Sequence, residues 1–135
     1  MVQVSVNALV KVASGPNLSL NSNLEPESYT MASVDLEAAG AAPTEEEVPL
    51  LPDAGTVTLL AVRARTAAGA DADVSLTPSN GGNDGDELTV AGTLMVTNAG
   101  VLAALVDGGP RSLTIRNAGD EPVTVDILTC LDSAQ

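Results

Sequence analysis

Apolar and polar residues alternate with a period of two along most of this chain. Val2, Val4, Val6, Ala8, Val10 and Val12 share one parity, and Gln3, Ser5, Asn7 and Lys11 the other, with Leu9 the exception. A strand sends successive side chains to opposite faces, so this spacing predicts a long, half-buried antiparallel strand. Ser14-Gly15-Pro16-Asn17 stops it. Leu18, Leu20 and Leu24 then punctuate a Ser/Asn-rich stretch ending at Pro26, which reads as a poor strand or an ordered loop. Residues 28–36 form a second strand, with Thr30, Ala32, Val34 and Leu36 on one face.

The alternation breaks from Ala38 to Gly55, where Glu45-Glu46-Glu47 and Val48-Pro49-Leu50-Leu51-Pro52 follow Pro43. A stretch of that length without strand pattern predicts an extended loop or arm over 38–55. Strand character resumes at Thr56–Thr66, and Ala72, Val74 and Leu76 continue it after Ala67-Ala68-Gly69-Ala70, a linker short enough for a hairpin. Pro78 to Asp86 reads as a turn-rich loop, followed by short strands at Leu88-Thr89-Val90 and Leu94-Met95-Val96. Val101 to Val106 fits one helical face and a buried strand equally well. Leu113 and Ile115, then Val123, Val125, Ile127 and Thr129, flank the turn Asn117–Pro122 and predict a C-terminal hairpin.

About eight strands with frequent turn signals predict an all-β fold, an antiparallel β-sandwich or jelly roll, as one domain over residues 1–135. Composition makes the core unusual. The 135 residues include no Phe, no Trp and a single Tyr, Tyr29, so aliphatic side chains must fill it.

Eighteen acidic residues against five basic ones give a formal charge of −13. Such a field repels phosphates and anionic lipid, and stacking aromatics are almost lacking, which argues against nucleic-acid and membrane partners. The beginning of the chain lacks the basic flank and apolar block of a secretory signal, so the expected place of synthesis and assembly is a cytoplasm.

Candidate chemistry is sparse. Without His there is no His-based triad, and one Cys with no His does not make the usual zinc site. Cys130, beside Leu128 and Leu131, reads as a small buried hydrophobe rather than a nucleophile. Carboxylate pairs abound, but sugar-stacking aromatics do not. No catalytic residue, cofactor or metal is therefore expected. The best cation candidate is the loop carrying Asn80, Asn83, Asp84, Asp86 and Glu87, whose oxygens suit calcium but whose spacing departs from an EF-hand, so a solvated turn is the expectation. In the 38–55 segment, Val48, Leu50 and Leu51 lie between prolines and read as exposed anchors for a partner.

Small size, strand rhythm, Ala/Gly/Thr/Val richness, acidity and the absence of catalytic groups, together with the stretch Ser112–Val125, give the chain its likeness. It resembles the short accessory proteins of tailed-bacteriophage virions, especially the capsid-decoration or cement class. The resemblance implies a non-enzymatic virion protein, assembled in the host cytoplasm, that binds a major capsid protein or another virion protein outside an icosahedral shell. It also implies a homo-oligomer, a trimer foremost. Val2 and Val4 of the first strand, or the 38–55 arm, would then reach a neighbouring subunit by edge pairing. The alternatives are a tail or baseplate component and a non-viral binding or adhesion module. The acidity could equally reflect a salt-loving host.

Overall fold

Alternation is obeyed most strictly where a strand has one face in the core and one in water. Leu60, Val62 and Ala64 are buried while Arg63 between them is exposed, and Val123, Val125 and Ile127 are buried while Thr124 and Asp126 are less so. The computed structural model describes residues 2–38, 40–41, 44–50 and 55–133. Within them lie β1 (Val4–Lys11), β2 (Asn17–Leu24), β3 (Ser28–Leu36), β4 (Glu45–Pro49), β5 (Gly55–Thr66), β6 (Asp73–Asn80), β7 (Asn83–Asp84), β8 (Leu88–Ala91), β9 (Thr93–Val96), α1 (Ala99–Ala103), β10 (Ser112–Arg116) and β11 (Val123–Ser133). The fold is all-β, an antiparallel sandwich of two layers with a separate two-stranded hairpin.

The front layer runs β4-β10-β6, with β8 and β7 sharing the far edge of β6. The back layer runs β3-β11-β5-β9. Val48, Leu76, Leu113 and Ile115 of the front layer pack in one cluster with Val34, Leu60, Val62, Val125 and Ile127 of the back. Pro78 fits inside β6 because β8 pairs with β6 residues up to Leu76 and β7 pairs with it from Ser79 on, so no ladder bond is lost in the gap.

Most steps from one strand to the next cross the sandwich. β8 lies in the front layer and β9 in the back, and the corner is Gly92, at φ 79° and packed so closely on Asp71 that a Cβ would sit 2.6 Å from its Cγ. Only glycine takes both the left-handed backbone and the close approach. The turn Ala67–Ala70 also forms, with Thr66 N–H donating to the Ala70 carbonyl at 2.9 Å. It does not join a hairpin, however. β5 and β6 enter opposite layers, and the residues just before β6 meet β5 at an isolated bridge between Arg65 and Asp71, with Ala72 N–H donating to the Ala64 carbonyl at 3.0 Å.

The expected C-terminal hairpin is corrected in the same way. β10 pairs with β4 and β6, β11 pairs with β3 and β5, and the two face each other across the core. Asn117 holds this crossing. Its side chain is 2 % exposed, donates to the Glu37 and Glu121 carbonyls at 3.0 and 2.8 Å, and accepts from Gly119 N–H at 2.9 Å. Alternation reports which face is buried and is silent on whether the next strand pairs or arches over.

Two ambiguous regions resolve. Residues 99–103 are a helical turn capped by Asn98, whose Oδ1 accepts from Gly100 N–H at 2.8 Å and Val101 N–H at 3.2 Å, with Leu102 in the core. The Ser/Asn-rich stretch is a full strand, β2, because β1 pairs with all of it despite its weak propensity.

Candidate protein-interaction surface

β1 and β2 pair over eight residues each and, among the described residues, with no other strand. The register places Val4 opposite Leu24, Val6 opposite Ser22, Ala8 opposite Leu20 and Val10 opposite Leu18 on one face. Ser5 opposite Asn23, Asn7 opposite Asn21, Leu9 opposite Ser19 and Lys11 opposite Asn17 make the other. One face is thus apolar but for Ser22, and the other is polar but for Leu9. Ser5 Oγ donates to Asn23 Oδ1 at 3.2 Å on the polar side. The strands are joined by a turn in which Gly15 N–H donates to the Val12 carbonyl at 2.9 Å and Ser14 adopts φ 60°.

Neither layer of the sandwich closes over the outer part of the apolar face. Val10, Val12, Leu18 and Leu20 are exposed, Leu18 at 56 %. Val4, Val6 and Ala8 are half-buried towards the base. That base is anchored: Val2 N–H donates to the Pro26 carbonyl at 3.1 Å, Pro26 is buried, and Glu27 N–H donates to Asp132 Oδ1 at 3.1 Å. Charge divides at the same place. All 18 acidic residues lie from Glu25 onward, and Lys11 is the only charged side chain before it.

The residues read from sequence as partner anchors are distributed differently. Val48 and Leu50 are buried in the protein's own core, so they are not exposed anchors. Residues 45–49 of the expected arm are instead the edge strand β4, with Val48 opposite Leu113. Glu45, Glu46 and Glu47 are exposed there and, with Pro49, discourage further pairing at that edge. Leu51 lies outside the described residues. Val2 and Val4 sit half-buried at the hairpin base. The exposed quartet nearer the tip was missed, although Leu18, Leu20 and Leu24 share a parity that would mate with that of Val4 to Val10.

The loop read as a cation candidate is a tight turn, with Gly81 at φ 63° between β6 and β7. Three of its five candidate side chains have protein partners. Asn80 Nδ2 donates to the Asp107 and Gly109 carbonyls, Asp84 Oδ1 accepts from Ser79 Oγ at 2.7 Å, and Glu87 pairs with Arg116 at 3.1 Å. Among the described residues no group of three or more Cys, Asp or Glu is placed to hold a metal ion. Cys130 is fully buried, and burial, with the Asp132 charge second, pushes its thiol up from the ordinary range.

The outer face of the back layer carries one polar cluster. Asp126 accepts from Arg63 at 2.9 Å, Arg65 at 3.2 Å and Ser33 Oγ at 2.9 Å. The Arg63 hydrogen bond is the main reason its carboxyl lies below the usual range, with Ser33 next and burial opposing. Two residues on, the same face becomes apolar. Leu128 is opposite Met31 and Ala61, and Ala61 is opposite Met95, so the four form one row across four strands. Among the described residues no helix is long and apolar enough to cross a membrane.

A scan against protein-family models gave no match, and searches of curated proteins and of solved structures gave none either.

Proposed function

We propose that this protein is a structural component of a virion that binds the outside of an icosahedral capsid and stabilises it, and that the β1–β2 hairpin is how it joins neighbouring protein. The observation that carries the docking role is the hairpin's uncovered apolar face. A two-stranded sheet is marginal in water, and contiguous exposed apolar side chains mark protein contacts. The capsid setting is supported by the resemblance in size, acidity and β-sandwich character. Stabilisation follows from mass action, since a protein that binds only the assembled shell shifts the equilibrium towards it.

The test is sedimentation of lysate from cells expressing the protein with its own genomic neighbours, followed by immunogold electron microscopy with an antibody to the purified chain. Co-sedimentation with icosahedral particles labelled on their outside is expected. Recovery only among slowly sedimenting proteins overturns the reading, and label confined to tails reassigns it to the tail.

A further inference from the structure

We propose that the hairpin of one copy docks on the outer face of the back layer of a second copy, over the row Met31, Leu128, Ala61 and Met95. This rests on the reading of the hairpin as a docking element and names what it docks to.

The receiving surface is apolar and open. Met31 is 61 % and Met95 42 % exposed, and the row lines a shallow concavity of about 310 Å³. Thioether side chains are unbranched and adapt to whatever packs on them. Tyr29, 56 % exposed and two residues before Met31 on β3, extends the patch along that strand. Sizes match. The tip half of the hairpin, four residues per strand, is about 13 Å long, and three inter-strand spacings across the row are about 14 Å.

Charge selects the partner. Every acidic side chain lies outside residues 2–24. A hairpin built for a basic surface would gain from carboxylates, whereas one built for an acidic surface must shed them, because like charges across an interface cost several kcal/mol in the order-of-magnitude sense. The body of this chain carries all of its acid. Beside the row itself Arg63 and Arg65 pair with Asp126, so the hairpin's Lys11 meets an acidic molecule over a locally balanced apolar patch. The hairpin base is pinned through Pro26 and Glu27 and its tip leaves the sandwich uncovered, so the surface that meets it belongs to another molecule. Donor and receiver are different patches, so the contact is heterologous: it closes into a ring or continues as a chain of copies.

The experiment is light-scattering mass of the full chain over a concentration series, for wild type, a hairpin variant (Leu18→Ser with Leu20→Ser) and a row variant (Met31→Ser with Met95→Ser). All substituted positions are exposed, and circular dichroism checks that each variant keeps its β signal. Wild type should form a species of two or more copies, each variant should be monomeric, and an equimolar mixture of the two should recover a dimer through its one intact donor–receiver pair. A wild type monomeric at every concentration, a row variant that assembles like wild type, or a mixture that stays monomeric overturns the proposal. The particle assay separates this failure from that of the docking role. A monomeric protein that reaches particles only with its hairpin intact sinks self-docking alone, while a hairpin variant that reaches particles like wild type sinks the docking role.

Discussion

Leu76 in β6 and Ile127 in β11 lie on opposite layers and are closed from solvent, whereas Val10 and Leu18 sit side by side on the hairpin and remain open to it. Both regions sort their residues by the same period of two. The sandwich supplies a second layer for its apolar faces, and the hairpin has none of its own. The difference teaches that alternation prepares a surface for burial without specifying that the same chain buries it. It also predicts that stability is stored unequally between the two regions.

The largest expected contrast is between a core truncation and a hairpin truncation. Ile127→Ala should cost about 3 kcal/mol through lost burial and the cavity left behind. Leu18→Ala should cost less than about 0.5 kcal/mol in the monomer, as surface substitutions do. Urea unfolding at low protein concentration measures both, and equal costs would place the hairpin inside the folded core. Next comes the crossing that makes the sandwich two-layered. Asn117→Ala strands the Glu37 and Glu121 carbonyls and should lower stability by about 2 kcal/mol, read as an earlier urea midpoint. An unchanged midpoint would mean the β10–β11 arch holds without it.

A smaller effect has the opposite sign. Thr129 is 0 % exposed, and among the described residues its hydroxyl has no hydrogen-bond partner. Thr129→Val keeps the shape and removes the unpaired group, so it should raise stability by about 1 kcal/mol. Destabilisation would show that the hydroxyl has a partner in solution. The smallest effect lies on the back layer's outer face. Asp126 titrates lower folded than unfolded, so its contribution is present above the ordinary carboxylate range and is lost as pH falls towards its lowered folded value. Asp126→Asn should flatten that part of the acid side of a stability–pH profile measured by urea midpoints. An unaltered slope would mean that Arg63, Arg65 and Ser33 favour its charged form no more than water does.

The residues most legible in the sequence are those with one buried face. Residues 28–36 form β3 with Ala32, Val34 and Leu36 of the expected face turned inward and Thr30 exposed, and Thr56–Thr66 lies in β5 with Arg63 and Arg65 turned outward. Pairing was less legible, because the signals at Ala67–Ala70 and Asn117–Pro122 mark a reversal and do not encode whether it lies within a sheet or across two. β4 was hidden by composition: three glutamates and two flanking prolines resemble a loop, although Val48 supplies the inward side chain of an edge strand. The exposed quartet was obscured by the Asn and Ser residues around its leucines. Its parity was visible, but its lack of cover depends on where two distant sheets end.

β11 lies between β3 and β5, bonded to both, and among the described residues it is the last of eleven strands in chain order. On a ribosome, the back layer therefore waits with its centre missing until residues beyond Val123 have left the exit tunnel. The hairpin needs only its first two dozen residues and can zip as soon as they emerge, a microsecond-scale event set against seconds of translation. A nascent chain would thus present this apolar ribbon well before the strand that closes the back layer. That order favours capture of the ribbon by finished copies nearby, and it makes the interval before β11 arrives the one in which premature aggregation is most dangerous.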